Sequence, residues 1–232
     1  MKKVALITGA SAGIGFETAR FLSQQGYLVY GAARRIQKLN ALKDSGVIPV
    51  EMDVTNDQSM TDGINRIITE AGRIDVLVNN AGFGSYGAIE DVSIEDAKYQ
   101  LEVNVFGAAR LIQLVLPYMR QNRWGKIVNI SSIGGKIATP FGGWYHASKF
   151  ALEGLSDSLR NEVKQFGIDV ILIEPGGIKS EWGGIAAESL TKMSGHTAYK
   201  ELVNKFAGAF KETEGKNSPA LDTVVVRFIA YS

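Results

Sequence analysis

The sequence predicts an α/β protein built on a doubly wound parallel sheet with helices on both faces. Three observations carry this. Short apolar runs recur with little polar alternation, helical patterns separate them, and a glycine-rich turn joins the first run to the first helix. The runs are VALIT (4–8), YLVYGAA (27–33), VIPVEM (47–52), DVLVNN (75–80), KIVNIS (126–131) and DVILIE (169–174). They are rich in Val and Ile and nearly continuous, as strands buried on both faces are. Strands alternating with helices pair in parallel, and right-handed crossovers then cover both faces of the sheet.

The elements follow in order. IGFETARFLSQQG places Ile14, Ala19, Phe21 and Leu22 at helical spacing, with Gly26 as the C-terminal cap. Further helices are expected at about 36–45, 57–71, 94–121 and 144–166. The alternation breaks at 180–215, where GGIAAESLTKMSGHTAYKELVNKF reads as a small helical insertion. The closing TVVVRFIAYS is a candidate seventh strand. No linker or composition break divides residues 1–232, so one domain is expected.

Composition narrows the function classes. The chain has 232 residues, a net charge of +1, 45% hydrophobic and 21% charged residues. This balance is that of an ordinary globular protein, without the basic block that would point to nucleic acid or an anionic membrane. With no Cys, disulfides, thiol catalysis and a Cys-built zinc site are excluded. His146 and His196, the only two histidines, have no metal-ligand spacing. No apolar run reaches the length of a membrane span, and MKKVALITGA runs straight into the glycine turn as a strand would. The cytoplasm is the expected location.

TGASAGIG (8–15) ends the first strand and opens the first helix. Helix N-termini bind anions through free N–H groups and the helix dipole. Gly9, Gly13 and Gly15 suit the tight turn, the close approach to a pyrophosphate and the packing of helix on sheet. The alternative is a glycine turn without a ligand. In WYHASKFALEG, Tyr145 precedes Lys149 by four residues, so the two share a helix face. An ammonium beside a phenol favours the phenolate and suits it to proton transfer. Chance alone yields such a pair in about every second chain of this composition, so the spacing by itself also fits two ordinary helix neighbours.

Taken together, the motifs resemble the short-chain dehydrogenase/reductase family in its single-domain branch. TGASAGIG is followed by NNAG at 79–82, Asn104 in EVNVFG, NISS at 129–132, Tyr145-His-Ala-Ser-Lys149 and PGGIKS at 175–180, in family order. The resemblance implies a Rossmann fold and a hydride-transferring oxidoreductase. It implies Tyr145 as general acid for carbonyl reduction and base for alcohol oxidation. Lys149 would bind the nicotinamide ribose and lower the Tyr145 pKa. Ser132, rather than its neighbour Ser131, would hydrogen-bond the substrate oxygen, and Asn104 would hold a water in a relay through Lys149. Cofactor contacts are implied for Gly9, Ser11, Ala12, Gly13, Ile14 and Gly15 in the turn. They are also implied for Asp53 and Val54 after the third strand, Asn80, Ala81 and Gly82 after the fourth, and Pro175, Gly176, Ile178 and Ser180 after the sixth. Without that context Asn104 reads equally as a surface polar residue, Ser132 as a turn residue, and Asp53 as a turn residue ahead of a helix.

Cofactor choice turns on YGAARR, at the end of the second strand. An acidic residue there binds a ribose 2′-OH, and an Arg accommodates a 2′-phosphate. Ala33 stands where NAD-preferring relatives carry Asp, and Arg34 follows, which favours NADP(H), with NAD(H) use possible. Solvated charge on Arg34 and Arg35 is the plainer reading. The neighbourhood of Tyr145 and of IEPGGIKSEW is most like members acting on steroids, retinoids and other lipophilic ketones or alcohols. Trp182, Ile185, Leu190, Met193 and Tyr199, with Phe83, Tyr86 and Phe141, are candidates for an apolar pocket wall; ordinary packing is the alternative. A non-catalytic NADP(H) sensor, a dehydratase or epimerase of the extended branch, and an NAD-dependent alcohol dehydrogenase are the competing functions. A homodimer or homotetramer through about 94–121 and 144–166 is implied by the resemblance.

Overall fold

The computed structural model describes residues 2–177 and 182–213. One sheet holds six parallel strands: β1 (Val4–Thr8), β2 (Leu28–Ala33), β3 (Ile48–Glu51), β4 (Val76–Asn79), β5 (Gly125–Ile130) and β6 (Ile168–Ile173). Their order is β3-β2-β1-β4-β5-β6. The chain winds outward from β1 to β3, then returns to start again at β4 on the other side of β1. In such sheets the reversal opens a crevice at the C-terminal ends of the strands, where ligands bind.

Both faces of the sheet are covered, which is why the strands are apolar without alternation. Along β1, Val4 and Leu6 enter a core with Met60, Ile64, Leu111, Val115 and Leu159. Ala5 and Ile7, pointing the other way, enter a second core with Ala19, Leu22, Leu39 and Leu42. Each fully buried Leu or Ile contributes about 1.5–3 kcal/mol relative to exposure. Asp75, fully buried, accepts the Val4 N–H at 2.8 Å and so pins the start of β1 beside β4.

Helix α1 (Gly13–Gln24) closes as its sequence indicates. Gly26 is left-handed, its N–H reaches Ser23 O and the next N–H, of Tyr27, reaches Leu22 O. Asn56 caps α2 (Asp57–Ala71) by accepting the Ser59 N–H. Two expectations differ. Residues 36–45 form a 3-10 helix, and their buried residues Leu39 and Leu42 lie three apart, the 3-10 repeat. The helix expected over 94–121 is divided into α3 (Ile94–Leu101) and α4 (Gly107–Asn122) by a π turn at Glu102–Phe106. The closing TVVVRFIAYS lies outside the described residues. The remaining helices are α5 (Gly143–Val163), α6 (Trp182–Ser194) and α7 (Lys200–Thr213), the last two lying within the 180–215 stretch. Among the described residues, no helix is long and apolar enough to cross a membrane.

Candidate active site

The glycine turn sits at the mouth of the crevice. Gly9 and Gly13 have φ of +65° and +58°, values other residues adopt at a cost. At Gly15 a Cβ would strike the Asn80 amide and the Gly9 carbonyl, so only hydrogen allows α1 to seat this close. Asn80 ties the turn to β4: its side chain donates to Thr8 O at 2.9 Å, and its N–H and that of Ala81 both reach Thr8 Oγ1 at 3.0 Å. Ala12 stands at the N-cap of α1, where no side-chain oxygen caps the first turn, and open space surrounds the Cβ position of Gly13. Uncapped N–H groups behind a bare turn suit a pyrophosphate. Ser11 is half-buried beside them, and Ile14 anchors the turn by packing on the core.

Tyr145 and Lys149 lie on the buried face of α5. Lys149 Nζ donates to Ile130 O at 2.8 Å and stands 5.9 Å from the Tyr145 ring centroid. Burial pushes the lysine down to about 8, and the Glu153 carboxylate one turn further along opposes that fall. Tyr145 moves the other way. Burial raises its pKa, and a hydrogen bond with Ser132 opposes the rise. Desolvation is the largest of these influences, so the net shift of the phenol is upward. Ser132 meets Tyr145, whereas Ser131 is buried with its N–H on Ile173 O in the sheet. The structure thus brings Ser132, rather than Ser131, to the phenol.

Asn104 sits in the π turn, fully buried. Its amide donates to Phe83 O and to Ser148 Oγ, both at 2.9 Å, and its Oδ1 accepts the Phe83 N–H at 3.0 Å. Ser148 in turn donates to Tyr145 O at 2.7 Å. Both amide hydrogens are therefore spent on protein, and Asn104 braces α5 against the loop after β4. Gly82 lies against the same amide.

The remaining sequence-selected residues divide. Asp53 Oδ1 accepts from Thr55 N–H and hydroxyl at 2.9 and 2.8 Å, a turn that leads into α2. Val54 is buried in the core, its carbonyl against Gly107. Pro175 joins the site through its carbonyl, which accepts the Ile133 N–H at 3.0 Å and so abuts the Ser132 loop; Gly176 borders Ile133. Ile178, Ser180 and the Trp182 side chain lie outside the described residues. Arg34 is exposed at the end of β2, one Nη donating to Tyr99 Oη at 3.0 Å. Of the aromatic candidates, Tyr86 packs on Tyr145 at 5.7 Å between centroids, and Phe141 joins the same cluster with Tyr199 and Phe206. Leu190 is spent on packing within that cluster, whereas Ile185 is 55% exposed.

Three groups had no individual signal in the sequence. His146 Nδ1 faces Gly134 O at 2.9 Å and its Nε2 accepts the Thr139 N–H at 3.0 Å, which fixes a neutral ring protonated on Nδ1. It holds two points, Gly134 and Thr139, of the loop that carries Ser132. Ser148 links Asn104 to α5. Asn79, Asn129 and Ser156 form a buried chain, with bonds of 2.9 and 2.8 Å across the β4–β5 pair and onto α5.

Fold and site together define a doubly wound α/β protein with a glycine turn and a buried tyrosine–lysine pair at the crevice of its sheet. A family profile described as short chain dehydrogenase matches residues 3–189, and the chain belongs to that family. It is 48% identical over 174 residues to a 3-ketodihydrosphingosine reductase of Bacteroides thetaiotaomicron, covering 75% of this chain. It is 37% identical over 199 residues to retinol dehydrogenase 8 of Bos taurus, covering 82% of this chain. The matching stretch spans 63% of the length of each of these two relatives. Among solved structures, a metagenomic short-chain oxidoreductase in complex with NADP is 33% identical, with a TM-score of 0.73 over 76% of this chain and 83% of that one.

Proposed function

We propose that the protein is an NADP(H)-dependent oxidoreductase that interconverts a carbonyl and a secondary alcohol, with lipophilic ketones or alcohols as substrates. The convergence of Ser132, Tyr145 and Lys149 at the end of β5 carries this reading. A bound nicotinamide would supply hydride to the carbonyl carbon, or take it from the carbinol carbon. The glycine turn would hold the pyrophosphate, Asp53 and Val54 the adenine, Asn80 to Gly82 the ribose, and Pro175 and Gly176 the nicotinamide end. In reduction, Tyr145 Oη delivers a proton to the substrate oxygen, and Ser132 donates a hydrogen bond to the same oxygen as charge develops there. A phenol whose pKa is raised by burial is protonated at neutral pH, as the acid role requires. Lys149 presents an ammonium to the ribose hydroxyls, and Asn104 with Ser148 holds α5 in place.

Arg34, with Ala33 in place of a carboxylate, supports NADP(H), as does the NADP complex of a similar oxidoreductase. The lipophilic substrate class draws on the aromatic wall around Tyr145 and on the names of the two relatives. The test is a panel of ketones and alcohols run with both cofactors. Ketone reduction with NADPH is expected, and Tyr145→Phe is expected to lose about 10²–10⁴-fold in rate while retaining cofactor binding. Turnover by Tyr145→Phe at the parent rate would overturn the mechanism, and binding without any turnover would favour a sensor.

The proposal extends to one cytoplasmic domain that assembles as a homodimer or homotetramer. Phe106 and Phe150, on the two helical segments expected at the interface, are 57% and 47% exposed. Light scattering is expected to give at least twice the chain mass, and a monomer at micromolar concentration would contradict the assembly.

A further inference from the structure

Arg34 and Tyr99 lie 65 residues apart and meet through the 3.0 Å bond from guanidinium to phenol oxygen. Arg34 follows β2, and Tyr99 lies on α3, which follows β4. Between those strands in the sheet stands β1, whose end carries the glycine turn. The bond therefore links the two flanks of the turn at the mouth of the crevice.

Two exposed side chains ordinarily gain little by pairing, because both lose rotamer freedom. Tyr99 is already restrained. Its ring packs on Phe83 at 5.7 Å between centroids, and the Phe83 backbone is held at both its N–H and its carbonyl by Asn104. Gln100, the next residue on α3, donates to that same carbonyl at 3.2 Å. Only the arginine remains to be ordered. A guanidinium has five N–H donors, so one bond to Tyr99 leaves four. The phenol oxygen accepts from Arg34, which leaves its own O–H to donate elsewhere. The pair thus presents a charged fork and a neutral donor side by side. That combination matches a phosphate monoester, with its several acceptor oxygens and negative charge, and has no comparable advantage for a ribose hydroxyl.

We propose that Tyr99 is a specificity-determining residue, which with Arg34 forms the recognition site for a ribose 2′-phosphate. The inference rests on the NADP(H) reading above and adds to it a residue outside the end of β2. It also connects cofactor choice to the catalytic scaffold, because Asn104 holds both Phe83 and, through Ser148, α5.

The experiment is calorimetric titration of the full chain with 2′,5′-ADP and with 5′-AMP, which differ only in the 2′-phosphate. The parent is expected to bind 2′,5′-ADP more tightly. Tyr99→Phe keeps the ring on Phe83 and is expected to weaken 2′,5′-ADP about five- to tenfold. Its 5′-AMP affinity is expected to be unchanged, which also reports that the variant is folded. Arg34→Met and Tyr99→Phe are expected to combine less than additively on 2′,5′-ADP, as groups acting together do. Unchanged 2′,5′-ADP binding in Tyr99→Phe, or an equal loss for both ligands, overturns the role of Tyr99. A parent that binds both ligands equally overturns instead the NADP(H) reading beneath it.

Discussion

Tyr145 and Lys149 share one buried face of α5, and burial acts on them in opposite senses: it keeps the phenol protonated and loosens the proton on the amine. Small displacements of the phenol should therefore matter more than its intrinsic acidity. Gly134 tests this. A Cβ at that position would lie 2.9 Å from His146 Nδ1 and 3.0 Å from Tyr145 Cε1. Gly134→Ala is expected to reduce kcat about 10–100-fold, since reacting groups displaced by an ångström lose that order of rate. Circular dichroism should show an unchanged secondary structure, and an unaltered kcat would show that the loop yields without moving Tyr145. Tyr145 and Lys149 are legible in the sequence because a four-residue spacing is a local property of a helix. His146 is not, because its partners, Gly134 and Thr139, are brought to it by the fold of the intervening loop.

At the scale of elements, the strands and most helices follow from local apolar patterns, and their boundaries shift by only a few residues. The segment 94–121 shows where periodicity runs out. Its apolar repeat continues through a π turn that widens the helix at Asn104. Nothing in the repeat itself marks that widening, whereas the three bonds from the Asn104 side chain and the close seat of Gly107 on Val54 do. The placement of β1 rests similarly on one distant side chain. Asp75 is buried, accepts the Val4 N–H and pairs with Arg73 at 2.5 Å. Removing it leaves a buried N–H and a partly buried guanidinium without their acceptor. Asp75→Ala is expected to cost about 3 kcal/mol, read as a lower urea midpoint with an unchanged slope. A loss below about 1 kcal/mol would show that β1 is held by its ladder alone.

For the whole molecule, the buried ionisable groups predict a dependence of stability on pH. Lys149 titrates near 8 in the fold and near 10.5 when unfolded. Between these values the unfolded chain holds the extra proton, so stability rises with pH across that window. Tyr30, raised to about 12 chiefly by burial, acts in the opposite direction above about 10, where the unfolded phenol ionises first; Tyr86 and Tyr145 do the same. Urea midpoints are therefore expected to climb between about pH 8 and about pH 10 and then fall. Lys149→Met is expected to lose the climb and keep the fall. The same climb in that variant would assign it to another group.

By itself, the sequence determined what repeats or is spaced locally: the buried strands, the amphipathic helices, the glycine turn, and a tyrosine one helical turn from a lysine. These follow from backbone geometry over a few residues. The tertiary structure alone decided the connections, namely Asn104 to Ser148, Asn79 through Asn129 to Ser156, and Arg34 to Tyr99. Such bonds join residues 27 to 65 positions apart. They form only once strand order, register and crossover bring the ends together, and short-range spacing carries no record of that.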